Sequence, residues 1–158
     1  MSLTEVNYTR LEELLAAKDW FQADLETNQQ MLVIADRFKW GGWLRLQDIE
    51  NLSCSDLQKI DRLWLQYSEA NWGFSRQEQI YREVDRDYYK LADLLGWRKD
   101  ETWVTNNHLI LSENVTLPKF PFSFRGLSSR IGEVSLASSS WIEAFFSRLN
   151  YCNNNSNY

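Results

Sequence analysis

The stretch LPKFPFSFRGLSSR, residues 117–130, gathers the side chains best suited to hold a ligand. Phe120, Phe122 and Phe124 are separated only by Pro121 and Ser123, Arg125 follows at once, and Arg130 comes shortly after. Aromatic rings offer flat apolar faces, and guanidinium groups offer paired donors to a carboxylate. Together they suit a planar, apolar, anionic molecule. The same residues have a second use, as a basic loop pinned to the core by its phenylalanines. On the residues alone, the second use is favoured.

Catalytic chemistry finds much less material. The one histidine, His108, stands beside Asn106 and Asn107, which reads as an isolated loop residue rather than a base. A Cys–His pair would need Cys54 or Cys152 to meet it in space, and nothing local suggests that. The glycines are scattered, so no phosphate-cradling loop is present. The acidic runs LEE (11–13) and EVDRD (83–87) read as solvated helix faces, and no cluster has metal-ligand spacing. The pattern points to binding rather than catalysis, with no covalently held cofactor and no metal.

Composition sets the frame for these residues. The chain has 158 residues, 44% hydrophobic and 25% charged, the size and balance of one globular domain. Aromatics reach 15%; some are core, and that much ring surface also leaves room for a flat apolar ligand. The net charge of −5 argues against a general nucleic-acid binder. After residue 114 the balance reverses, with Lys119, Arg125, Arg130 and Arg148 against only Glu133 and Glu143. A basic segment on an acidic body can receive an anionic ligand or an acidic partner surface. Cys54 and Cys152 lie far apart, so free thiols in a reducing compartment are expected. The start, MSLTEVNYTRLEELL, resembles neither a signal nor a transit peptide, and no run is long and apolar enough to span a membrane.

The elements that must position the 117–130 stretch read as helices. Tyr8, Leu11, Leu14 and Leu15 share one helical face; Asp19 caps a second helix carrying Trp20, Ala23, Thr27, Met31 and Leu32. Gly41-Gly42 breaks the chain before a short helix with Leu44, Leu46 and Ile49. Ser53 or Ser55 caps a longer one, striped by Leu57, Ile60, Trp64 and Tyr67. Ser75 and Glu78 have capping-box spacing, predicting a single helix from Ser75 to Leu95 that stops at Gly96. Trp72 and Phe74, flanking Gly73, are expected to anchor the corner before it. Beyond Trp97 the chain turns irregular, with short extended pieces at ETWV and HLIL. A last helix over 139–150 carries Trp141, Ile142, Phe145 and Leu149. The domain is expected to span 1–152, with 153–158 a disordered tail.

Three segments in order, YTRLEELLAAKDWFQADLET, GWLRLQDIENLSCSDLQKIDRLWLQYS and WGFSRQEQIY, resemble the genomes-uncoupled-four family. The likeness is close over 8–97 and looser over 98–152. It implies an all-α, compact, cupped helical domain with a long, partly irregular loop before the C-terminal helix. It also implies a non-enzymatic role: binding protoporphyrin IX or Mg-protoporphyrin IX and stimulating magnesium chelatase through its large porphyrin-binding subunit. The implied setting is a plastid stroma or a cyanobacterial cytoplasm, as a monomer with at most peripheral membrane contact. The implied ligand contacts are Arg125, Arg130, Phe120, Phe122, Phe124, Leu117 and Leu109.

The chain departs from the family pattern on that same side. VTLP (115–118) keeps only Leu117 and Pro118 of a Gly-His-Leu-Pro motif. VTNNHL (104–109) lacks the Trp-Pro pair some members carry. Ser128 stands where some members place a second arginine after Arg125. A helical protein-interaction module with reduced porphyrin binding is therefore the rival expectation.

Overall fold

The computed structural model describes residues 6–37, 42–104, 120–128 and 138–155. Its helices are α1 (Thr9–Ala16), α2 (Trp20–Ile34), α3 (Leu46–Glu50), α4 (Cys54–Tyr67), α5 (Phe74–Glu83), α6 (Tyr88–Leu95) and α7 (Ser139–Asn154). Between α6 and α7 come a two-stranded antiparallel ribbon, β1 (Arg98–Lys99) with β2 (Thr102–Trp103), and a 3-10 turn, η1 (Ser123–Ser128). The expected mostly helical fold is what the chain adopts, and β2 falls within the extended piece ETWV.

The α1–α2 hairpin follows from its stripe and cap. Leu11, Leu14 and Leu15 are buried, and the Asp19 carboxylate accepts from the Gln22 amide. Two tyrosines tie α1 to α4: Tyr8 donates to Asp56 at 2.6 Å and Tyr67 to Glu12 at 2.7 Å. Inside, the Trp64 indole N–H donates to Thr27 Oγ1 at 2.9 Å, which satisfies the one polar atom of a fully buried ring. α7 packs on α3, α4 and α5 and buries Trp141, Ile142, Phe145, Phe146 and Leu149.

Three local expectations are corrected. Ser75 is not a cap: α5 starts one residue earlier, and both the Ser75 amide and its hydroxyl donate to Asp61 of α4. A carboxylate from a neighbouring helix thus satisfies the first-turn donors that a local cap would otherwise take. The single helix to Leu95 is two helices, because Asp85 and Arg86 adopt left-handed backbone angles and Asp87 caps a fresh start, accepting from the Tyr89 and Lys90 amides. α7 runs past residue 150 to Asn154 and takes in Asn153 and Asn154, because Cys152 is buried against α4.

The cysteines also differ from expectation. Cys54, the first residue of α4, and Cys152, near the end of α7, are joined as a disulfide with Cα atoms 5.1 Å apart. Their 98-residue separation hides in sequence what the packing of α7 on α4 brings together.

The Trp72–Phe74 corner is core. Trp72 meets Trp20 and Phe120 edge-on, and Phe74 meets Phe124 and Phe145. Gly73, at φ 153°, lets the backbone come so close to α4 that a Cβ would stand 3.0 Å from both Asp61 Oδ1 and Leu65 Cδ2.

Candidate functional site

Residues 120–128 run through the middle of the molecule, held by main-chain atoms from four directions. The Phe120 carbonyl accepts from the Gly73 amide at 3.1 Å, and the Pro121 carbonyl from Gln77 Nε2 at 2.7 Å. The Phe122 amide donates to Asp24 Oδ1 at 2.7 Å, while the Ser123 amide and hydroxyl donate to Asp24 Oδ2 at 3.0 and 2.5 Å. At the far end the Leu127 carbonyl accepts from the Leu44 amide at 2.7 Å.

This grip turns the rings inward. Phe120 is 6% exposed; Phe122, Phe124 and Arg125 are fully buried. Phe120 stacks on Trp64, Phe122 meets Trp97 edge-on, and Phe124 packs among Phe74, Trp141 and Phe145. The expected arrangement put these rings on the wall of a hollow and Arg125 at its rim. Here all four side chains lie within the packed interior.

Arg125 occupies an aromatic cage. Its guanidinium carbon lies 4.1 Å from the Trp97 ring centroid, 4.5 Å from Phe122 and 5.5 Å from Trp103. Nε donates to the Phe122 carbonyl and Nη1 to the Tyr88 hydroxyl, both at a long 3.4 Å. Nη2 is buried and has no hydrogen-bond partner among the described residues. Burial draws the Arg125 pKa below the ordinary arginine value, and Tyr88 and Asp24 oppose that shift. An arginine stays charged even so, and ring faces partly replace the lost water. Trp103 is the half-buried member of the cage; Trp97, Phe122 and Tyr88 are buried.

Asp24 is the counter-charge. Burial pushes its pKa up to about 6, against the Ser123 hydroxyl, the Phe122 and Ser123 amides and the Arg125 charge. Motif reading passed over Asp24. Its signal was its place on α2, four residues after Trp20 and three before Thr27, where an acid shares a buried stripe. Gln77, Trp97 and Trp103 were also missed as parts of this arrangement.

The other sequence-derived residues separate. Arg130, Leu117, Leu109 and His108 lie outside the described residues. In the acidic runs, Asp87 caps α6 and Glu12 accepts from Tyr67. Among the described residues no group of three His, Cys, Asp or Glu side chains could hold a metal ion, and no helix is long and apolar enough to cross a membrane. A recess between α5 and α7, lined by Glu78, Tyr81, Arg86, Glu143 and Asn150, has room for about one water and none for a macrocycle.

Comparison with known proteins places this arrangement in context. A family model described as GUN4-like matches residues 1–155. The ligand-free structure of Arabidopsis thaliana GUN4 superposes with a TM-score of 0.68 over 89% of this chain and 98% of that one, at 22% identity, a likeness of fold. An uncharacterised Pyropia yezoensis protein, ycf53, is 34% identical over 100 residues, 63% of this chain and 42% of that protein. A chloroplastic tetrapyrrole-binding protein of Arabidopsis thaliana is 30% identical over 90 residues, 56% of this chain and 34% of its own length. The matched regions thus span less than half of these two relatives.

Proposed function

This chain belongs to the GUN4-like family, and on that premise we propose that it is a non-enzymatic tetrapyrrole-binding protein. Its ligand is protoporphyrin IX or Mg-protoporphyrin IX. It presents that ligand to the large porphyrin-binding subunit of magnesium chelatase and so raises chelation, in a plastid stroma or a cyanobacterial cytoplasm. The tetrapyrrole named for the Arabidopsis relative supports the ligand class.

The observation that carries the reading is Arg125: a buried guanidinium, stacked on rings, with Nη2 unpaired among the described residues. A porphyrin is a flat apolar disc with two propionates. It needs ring surface and at least one cation, and a buried donor without a partner is costly unless something takes its hydrogen bond. Trp103 covers the cage from the half-exposed side, so displacing its ring opens Arg125 to a propionate. Phe122, beside the guanidinium, then lines the seat, with Phe120, Phe124, Leu109, Leu117 and Arg130 as its further contacts.

Titration of deuteroporphyrin, free and magnesium-loaded, against tryptophan fluorescence tests this. Saturable quenching is expected; none at tens of micromolar would refute it. Arg125→Ala weakens binding by about 1–3 kcal/mol if a propionate bond is lost. Arg125→Lys, which keeps charge but not the planar stack, recovers part of it. Melting temperatures of both variants separate lost binding from lost fold, and unchanged affinity in folded Arg125→Ala removes Arg125 from the site.

The enclosure of Phe120, Phe122 and Phe124 favours a second reading, the helical interaction module. In that case porphyrin leaves the fluorescence unchanged while the chelatase subunit still binds.

A further inference from the structure

Cys54 and Cys152 are the whole cysteine complement of the chain, and the fold brings both to one point. That point is also polar-bonded. Gln58 Nε2 donates to the Cys152 carbonyl at 3.1 Å, and Arg148 donates to the Leu52 carbonyl through Nε at 3.0 Å and Nη2 at 2.7 Å. The end of α7 therefore stays beside the start of α4 without the covalent link, and the two sulfurs remain neighbours when reduced. A pair held this way can close and open repeatedly.

The two sulfurs are not equivalent. Cys54 is half-buried and stands in the first turn of α4, where the positive end of the helix favours thiolate. Cys152 is 1% exposed and lies in the last turn of α7, where the negative end disfavours it. Around it Tyr151, Asn153, Asn154 and Asn155 are exposed, so the last turn can part from α4 with little loss of core.

We propose that Cys54 and Cys152 form a reversible thiol–disulfide site, reduced by a dithiol that attacks the Cys54 sulfur. One thiolate of the reductant bonds to Cys54 Sγ, the Sγ–Sγ bond breaks, and Cys152 leaves as thiolate and takes a proton. The second thiolate of the reductant then attacks its own sulfur in the mixed disulfide. Cys54 leaves as thiolate, and the reductant departs as a cyclic disulfide carrying away two electrons fewer. An oxidised dithiol runs the sequence backwards, with Cys54 as the attacking thiolate. The end of α7 is then held by Gln58, Arg148 and packing without the covalent link, so the site sets the hold of α7 on the body.

Alkylation of denatured, air-oxidised protein, read by intact mass, is the test. No alkyl groups are expected before dithiothreitol and two after it. The melting temperature is expected to fall by roughly 5–15 °C on reduction and to recover with oxidised glutathione. Cys54→Ser should melt like reduced wild type and ignore dithiothreitol. With limiting glutathione, the trapped mixed disulfide is expected on Cys54. Two alkyl groups after treatment with oxidised glutathione would overturn the site, and so would a Cys54→Ser variant melting like oxidised wild type. A mixed disulfide on Cys152 would overturn the assignment of the attacked sulfur.

Discussion

Asp24 and Asp61 perform the same operation at two places with different reach. Each is a carboxylate in mid-helix, buried, that takes the amide and hydroxyl of a serine opening a distant turn: Ser123 for Asp24, Ser75 for Asp61. Each also takes a phenylalanine amide just before that serine. Asp61 closes a corner 14 residues away, whereas Asp24 reaches across 99 residues. Asp24 alone acts through space on a fully buried cation, Arg125; the charge beside Asp61 is the exposed Arg62. One acid fastens a local bend, and the other sets the course of a remote segment and offsets the charge enclosed with it.

Removing each acid should expose that difference. Asp24→Ala leaves three buried donors without an acceptor and removes the negative charge near Arg125, and is expected to cost about 3–5 kcal/mol in urea unfolding. Asp61→Ala loses the shorter-range bonds and should cost about 2–3 kcal/mol. Equal losses would break the contrast. Gly73→Ala, which pushes a Cβ against Leu65 and Asp61 from a positive φ, should cost about 1–3 kcal/mol in the same unfolding measurement.

The smallest effect is in pH. Asp24 has a folded pKa raised to about 6 from an ordinary value of 3.8, so the unfolded chain loses its proton first. Its contribution is therefore fully present below about pH 4 and is lost as pH rises through about 6. Relative to Asp24→Asn, wild type should lose about 1–3 kcal/mol between pH 4 and 7 in chemical denaturation. A flat difference would show that the Ser123 and Arg125 contacts cancel the burial.

Sequence periodicity carried most of the helices, because buried stripes such as Leu57, Ile60 and Trp64 repeat at helical spacing whatever they pack against. It did not carry the α5–α6 break: Asp85 and Arg86 adopt left-handed angles without a glycine or proline to announce them. Nor did it carry the Ser75 anchor, because a capping box and a trans-acting Asp61 look alike in one dimension. At the candidate site the phenylalanines and Arg125 were legible as a cluster, but the direction they face was not. That direction depends on Asp24 and Gln77, which are remote in sequence and join only through packing.

The hydrogen bonds that grip residues 120–127 fall mostly on amides and carbonyls. Those bonds do not depend on which apolar side chain a position carries, so the route of the segment tolerates exchange of one ring for another apolar residue of like volume. Divergence, or a designer, can change which apolar residues fill the interior along this strap while its route through the body stays put.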